Sequence, residues 1–443
     1  MRRVVIGLMV VALVAAACGD DDATTTTQAP GTTQAPTTTA GGGEDTTTTE
    51  APMEGLESFG ESTDADEALV LKALGTTEGV PDIVLASIAR AGQDLDDATI
   101  AKALECFNAT ECDTGSGGDL VMGFADGGGL NVWRKVTKME AILQALTYPQ
   151  IGTIVIREAN WDPNPEVAKG DLRFMLQRGV DFVLGYPDNG VGLAEELIAL
   201  DEAGIPFFSY SGGWVGLPGQ EGALVPGEDY AAIVGEDLCA LGESFASILN
   251  EHLGEGTIGV LGGTPGNALS AGWQQCEIDA LNDGIELVGP PADTYWVNSF
   301  AYDAVSAWLQ INPNIVGFSY EYADGLNTAL AAFDDVLGTP VEGLDELIIT
   351  VRTDEQTLFC DWVERDNPNY RIFYSAGGNF QSRVAVTTAM LYLQGYEFDP
   401  VIVVPHVMRE ITAADCDLDR VTPDVSGTSL VPDELLALMF AGA

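Results

Sequence analysis

The chain has 443 residues, with 18 Lys+Arg against 68 Asp+Glu and a formal net charge of −50. No basic surplus is available to neutralise phosphates, which excludes a nucleic-acid binder working by counterion release. Hydrophobic residues make up 46% and charged residues only 19%, so the acidity comes from scarce Lys and Arg. Enough apolar side chains remain for cores, and global disorder is excluded. The length allows two or three domains, and so acidic a surface suits a saline or extracellular setting where salt screens it.

Met1-Arg2-Arg3 is followed by an apolar run from Val4 to Ala17, then Cys18-Gly19 and Asp20-Asp21-Asp22. This pattern predicts a secretory signal over residues 1–17, too short to span a bilayer comfortably. Ala15-Ala16-Ala17-Cys18 resembles a bacterial lipobox, which implies lipidation at Cys18 and anchoring of the protein outside the cell membrane by lipid alone. Residues 18–53 are rich in Thr, Pro and Gly, with Thr-Thr-Gln-Ala-Pro written twice (Thr26 to Pro30 and Thr32 to Pro36). Such a segment cannot form a core and reads as a disordered tether. At roughly 35 residues it would hold a folded body on the order of 30 Å from its anchor.

After Cys18 six cysteines remain: Cys106, Cys112, Cys239, Cys276, Cys360 and Cys416. An even number outside the cytoplasm favours disulfides. Many pairings are open. The simplest joins sequence neighbours, and Cys106 with Cys112, across a short loop after a helical segment, has the most support. There is no CxxC pair, and His252 and His406 lie far apart, so no metal site is expected.

Residues 54–118 form a small preface. Apolar positions such as Ala68, Leu71, Leu74, Ile83, Val84, Ile88, Ile100 and Leu104 fall at helical spacing. From Asp119 onward strands and helices alternate. Strands are expected at 120–124, 151–156, 180–185 and 205–210, and helices at 132–146, 167–178 and 192–203. A glycine-rich stretch, Ser211 to Asp229, interrupts the rhythm and reads as a crossover. Helices then follow at 230–253, 268–282, 302–311, 326–336, 356–364 and 380–393, with strands at 257–261, 285–288, 315–319, 347–351, 371–374 and 401–404. Alternation of this kind predicts two α/β lobes, each a doubly wound parallel sheet. Ligands of such sheets sit beyond the carboxyl ends of the strands, and two lobes can present those ends across a hinged cleft.

Glycine-rich loops follow two of the strands, Asp126-Gly127-Gly128-Gly129 and Gly262-Gly263-Thr264-Pro265-Gly266-Asn267. Neither is a GxGxxG fingerprint or a P-loop, so no nucleotide or other cofactor is expected. Each nevertheless places backbone N–H groups at a helix start, where a polar group can be held. No GxSxG elbow or other nucleophile pattern is present. Aromatic residues gather at predicted strand ends: Trp133, Tyr210, Trp214, Trp296, Tyr320 and Tyr322 around Glu321, and Phe380 after Asn379. Aromatic faces beside carboxylates and amides are the chemistry of a sugar site.

The order of elements, together with Leu120 to Gly129, Val180 to Asn189, Gly204 to Ser211, Gly262 to Asn267 and Gly317 to Gly325, resembles the type I periplasmic sugar-binding proteins. These are the ribose-binding-like solute receptors of ABC importers. Gln177 to Leu184 and Ala203-Gly204-Ile205-Pro206 are the most typical phrases. The resemblance spans roughly residues 119–408. It implies a three-segment hinge joining an N-lobe (119–211 plus 377–397) to a C-lobe (212–376 plus 398–413), with residues 414–443 as a tail. By position it implies ligand contacts from Asp126, Asn131, Trp133, Ser211, Asn267, Trp296, Glu321, Asp354 and Asn379, with Ala376 in the third hinge; Asp188 and Tyr210 are further candidate ligand contacts.

Ribose receptors carry Asp-Arg where this chain has Ser211-Gly212, and a helix Arg where Ala271 to Trp273 stand. The expected site is therefore more aromatic and less basic, suiting another sugar, a polyol, a nucleoside or a cationic solute. The implied partners are a small-molecule ligand, a sugar favoured, and a membrane ABC permease, with the receptor a monomer and not an enzyme. The alternatives are a receptor for an amino acid, nucleoside or signalling molecule, a surface enzyme acting on polysaccharide, and an adhesin.

Overall fold

The computed structural model describes residues 62–127, 131–159, 164–375, 378–417 and 425–441. The signal, Cys18, the tether and Ala376 lie outside the described residues. The preface folds into helices α1 (Glu67–Leu74), α2 (Asp82–Ala91) and α3 (Asp97–Phe107), followed by strand β1 (Glu111–Asp113). The body then runs β2 (Leu120–Asp126), α4 (Val132–Leu146), β3 (Ile151–Glu158), α5 (Pro165–Arg178), β4 (Phe182–Tyr186), α6 (Ala194–Glu202), β5 (Phe207–Ser209) and β6 (Ala232–Gly235). It continues with α7 (Leu238–His252), β7 (Gly256–Gly262), α8 (Ala268–Ala280), β8 (Ile285–Leu287), β9 (Ala292–Asp293), α9 (Asn298–Ile311) and β10 (Ile315–Tyr320). Then come α10 (Ala323–Leu330), β11 (Leu347–Val351), α11 (Gln356–Arg365), β12 (Tyr370–Tyr374), α12 (Gln381–Leu393), β13 (Val401–Val403), β14 (Arg409–Glu410) and α13 (Asp433–Phe440).

Two sheets result. The first has the order β1-β3-β2-β4-β5-β6-β13 and the second β14-β12-β11-β10-β7-β8, with β9 beside β7. All neighbours are parallel except the edge pairs β1–β3 and β12–β14. Central strands such as Phe-Val-Leu-Gly-Tyr in β4 and Leu-Ile-Ile-Thr-Val in β11 are buried at every position, as strands covered by helices on both faces must be. Short polar side chains start the helices that follow the strands. Asn131, Asp237 and Asn267 accept backbone N–H bonds at the starts of α4, α7 and α8, satisfying donors a helix leaves open. No helix among the described residues is long and apolar enough to cross a membrane.

The structure differs from the sequence reading at the crossover. A helix was expected over 230–253, but Ala232–Gly235 form β6, paired in parallel with β5, and the helix begins at Leu238. The β-branched pair Ile233-Val234 favours a strand there. The first sheet also takes β13, which pairs with β6. The chain therefore leaves the first lobe after Gly235 and not at 211/212, and Val401–Val403 belong with the first lobe and not with the C-lobe. The preface is more than helical, since β1 extends the first sheet antiparallel to β3. The region expected as a tail carries α13, with Leu435 and Leu436 buried.

Disulfides join Cys106 to Cys112, Cys239 to Cys276 and Cys360 to Cys416, the sequence-neighbour pairing. The second ties α7 to α8, which approach so closely at Gly242 that a Cβ there would lie 2.0 Å from the Trp273 carbonyl oxygen.

Glu277, on α8, is wholly buried. The Ser319 hydroxyl donates to one carboxylate oxygen and the other has no partner. Burial pushes this carboxyl from its ordinary 4.5 up to about 8, against the Ser319 hydrogen bond. Below about pH 4.5 both folded and unfolded chains hold the proton. Between there and about pH 8 only the folded chain keeps it, so this group's contribution to stability declines as pH rises through that window. Urea unfolding of Glu277→Gln, which mimics the protonated acid, should show a shallower fall in stability between pH 5 and 8 than the parent chain. Parallel curves would contradict the shifted acid.

Candidate ligand-binding site

The carboxyl ends of the two sheets face each other and enclose a small cavity of about 30 Å³, lined from the first lobe by Asn131, Trp133, Arg134, Tyr186 and Ser211. The second lobe contributes Leu269, Trp296, Glu321, Tyr322, Arg352 and Thr353. That is room for only a few waters, so a sugar ring enters only if the lobes part or side chains move.

Arg134 organises the first-lobe wall. Its Nη1 donates to Asp126 Oδ1 at 2.9 Å and its Nη2 to Asp188 Oδ1 at 2.7 Å, all three side chains being buried. The guanidinium carbon lies 4.2 Å from the Tyr186 ring centroid and 5.6 Å from those of Trp133 and Trp296. Burial works against the charged guanidinium, but the two carboxylates outweigh it and hold its pKa above the ordinary value. Burial pushes the Asp188 carboxyl up, with Arg134 opposing. Behind the pair, Tyr210 donates its hydroxyl to Asp126 Oδ2 at 2.8 Å.

On the second lobe, Glu321 follows β10 and accepts from the Ser270 hydroxyl at 2.5 Å, the Trp296 indole N–H at 2.8 Å and the Trp273 indole N–H. Burial pushes its carboxyl up, against these hydrogen bonds. Trp296 is held by its loop: Thr294 and Tyr295 donate backbone N–H bonds to Gly262 and Gly263 carbonyls at the end of β7. A Cβ on Gly263 would come within 2.1 Å of the indole ring, so only glycine leaves room for Trp296 in this pose. Tyr295 (φ 56°) and Trp296 (φ 53°), like Ser211 (φ 57°), are in the left-handed region, a strained conformation that concentrates at ligand sites.

The lobes also touch through polar bonds. Arg352, the first residue after β11, donates from Nη2 to Ser211 Oγ at 2.9 Å and to both Glu236 oxygens at 2.9 and 3.0 Å. Burial would raise the Glu236 carboxyl, but Arg352 outweighs it and holds the group below its ordinary value. Asn267 accepts from the Tyr186 hydroxyl at 3.3 Å and donates to the Asp188 carbonyl at 3.1 Å.

The family described as periplasmic binding protein domain matches residues 129–397, well over half of the chain. The chain belongs to that family. The fold agrees with solved binding proteins. One is an ABC transporter periplasmic solute-binding protein from Actinobacillus succinogenes 130z with bound D-allose, at 17% identity and a TM-score of 0.56, covering 67% of this chain and 99% of that one. A second, from Agrobacterium vitis with bound D-fucose, has 16% identity and a TM-score of 0.57, covering 68% and 97%. A third, from Bacillus halodurans C-125 with bound myo-inositol, has 17% identity and a TM-score of 0.54, again covering 68% and 97%. None of the curated proteins matches the sequence.

Within this periplasmic binding protein the sequence-selected residues fall into two groups. Asn131, Trp133, Ser211, Trp296 and Glu321 line the cavity. Asp126, Asp188, Tyr210 and Asn267 stand behind the lining and fix it by the bonds just described. Asn379 donates to the Trp133 carbonyl and Thr137 hydroxyl, both at 2.9 Å, and so braces the start of α4. Asp354 accepts instead from Ser426 and Thr428 of the C-terminal segment.

The expectation of a less basic wall is corrected, because Arg134 and Arg352 both line the cavity, as do Tyr186, Leu269 and Thr353, which sequence reasoning passed over. Arg352 was within reach of the strand-end rule, since it directly follows β11. Among the described residues no cluster of His, Cys, Asp and Glu is placed to hold a metal ion.

Removing Arg134 strands two buried carboxylates. Arg134→Ala should therefore destabilise the fold by about 3–5 kcal/mol in urea unfolding. Changing all three partners together (Arg134→Met, Asp126→Asn, Asp188→Asn) should cost less than the single change. A harmless Arg134→Ala would contradict the role given to the pair.

Proposed function

We propose that the protein is an extracytoplasmic receptor, anchored through a lipidated Cys18, that captures a neutral hydroxyl-rich solute between its lobes and delivers it to an ABC permease. The observation that carries this reading is that charges in the cavity wall are answered by the protein's own groups. Arg134 is matched by Asp126 and Asp188, Arg352 by Glu236, and Glu321 by three donors. An amino acid ligand would call for a carboxylate free to meet its ammonium group and an arginine free to meet its carboxylate. A hydroxyl, which both donates and accepts, can join such a wall without stranding a charge. The Nε of Arg352, buried and without a partner, offers it a donor.

The faces of Trp133, Tyr186, Trp296 and Tyr322 supply apolar surface on which a sugar or cyclic polyol ring can stack. The sugars and myo-inositol bound by proteins of the same fold are consistent with that class. Capture requires no covalent step, because the ligand stabilises the closed arrangement by contacting both lobes at once.

Thermal unfolding against D-allose, D-fucose, fructose, myo-inositol, nucleosides and amino acids tests the reading. A ligand at about 100 times its Kd adds roughly 2.7 kcal/mol to the folded state. The expected result is a raised Tm with one or more sugars or polyols, no reaction product on chromatography, and at least a tenfold loss of affinity in Trp296→Ala. A shift confined to amino acids, or turnover of a glycoside, would overturn it.

A further inference from the structure

From β1 to β14 the covalent chain passes between the lobes three times: after β6, after β12 and after β13. Residues 425–431, beyond the 129–397 family match, carry the chain across once more and are hydrogen-bonded to both lobes. At one end the Ser426 hydroxyl donates to Asp354 Oδ1 and the Thr428 N–H to Asp354 Oδ2 at 2.8 Å, and Ser426 forms an isolated antiparallel bridge with Glu355. Asp354 and Glu355 follow β11 of the second lobe. At the other end Glu140 Oε1 accepts from the Ser429 hydroxyl at 3.0 Å, the Leu430 N–H at 2.7 Å and the Val431 N–H at 3.1 Å.

Glu140 lies on α4 of the first lobe, and its second oxygen accepts from Arg383 of α12. Both anchoring carboxylates are buried, Asp354 at 1% and Glu140 at 0% exposure. The segment is fixed beyond its ends as well. Leu435 and Leu436 of α13 are buried, and α13 packs on α3. Upstream, the Cys360–Cys416 disulfide and the bond from Asp417 N–H to Gln356 hold the chain to α11.

We propose that residues 425–431 are a strap that holds the two lobes in their closed arrangement, with Glu140 and Asp354 as its positioning residues. Thr428 and Leu430 are two residues apart, so the chain between the anchors can reach no further than about 7 Å. It has no slack with which to follow a hinge opening. Parting the lobes at this edge therefore breaks one set of buried carboxylate bonds, and the closed population depends on a segment that the family match does not include.

The lobe arrangement can be read without any ligand. Gly190 of the first lobe and Gly266 of the second meet across the cleft, and the nearby Glu195 and Pro265 are exposed. Spin labels at Glu195→Cys and Pro265→Cys in the full chain report the separation of these lips. Ser426→Ala with Thr428→Pro removes these two donors to Asp354 and leaves the Glu140 anchor in place. The expected result is a longer and broader distance distribution than in the parent, with Ser426→Ala alone changing it in the same direction by less. An unchanged distribution in the folded double variant overturns the proposal; if that variant does not fold, an unchanged distribution in Ser426→Ala does so.

A second readout rests on the receptor reading. A sugar that raises the parent's Tm should bind the strap variants on the order of tenfold more weakly. Failure of every sugar to bind would count against that reading and leave the distance result to judge the strap.

Discussion

One buried guanidinium fixes the geometry of the cleft. Arg134 is held by Asp126 at the end of β2 and by Asp188 after β4, and it lies against Tyr186 and within 5.6 Å of the Trp133 and Trp296 rings. Two strands, one helix and a loop of the opposite lobe thus meet at a single planar cation. Burying such a cluster carries a desolvation cost, so a buried ion pair is weak evidence of net stability. What it supplies is direction, because the bidentate donors fix the rotamers of both carboxylates and the ring normal of Tyr186.

The second lobe is ordered by the same device with the sign reversed. Glu321 is an anion held by two indoles and a hydroxyl, and it orients Trp296 through the indole N–H. Between these centres, Arg352 reaches from β11 to Ser211 and Glu236. The closed arrangement is consequently recorded in polar bonds that cross the cleft as well as in packing. An incoming ligand must match or exchange these bonds.

The α/β architecture was legible because buried parallel strands read as short apolar runs and glycine-rich turns mark their ends. It became illegible between Ser211 and Leu238. There β6 is only four residues long and sits directly before the α7 cap, so its apolar run merged with the helical pattern of Leu238–His252. The short edge strands β1, β9 and β14 are two or three residues each, below what periodicity can register. Within the site, the aromatic and acidic members were visible at strand ends, but the arginines were discounted by comparison with positions occupied in ribose receptors. Long side chains deliver their charge several ångströms from their own Cα, so the same guanidinium position can be filled from another element. Asp354 shows the converse. It has the right place in the sequence, yet its carboxylate is taken by residues more than seventy positions away, which no local pattern can reveal.

The contact between Gly263 and Trp296 has an evolutionary reading. The indole rests where any side chain on residue 263 would have to go, so a single added methyl group must displace a large aromatic wall of the cleft. Position 263 itself is absent from the cavity lining. The shape of the site can therefore be re-drawn in one mutational step by a residue behind the cavity wall, and related chains with different cargoes are best compared first at this glycine.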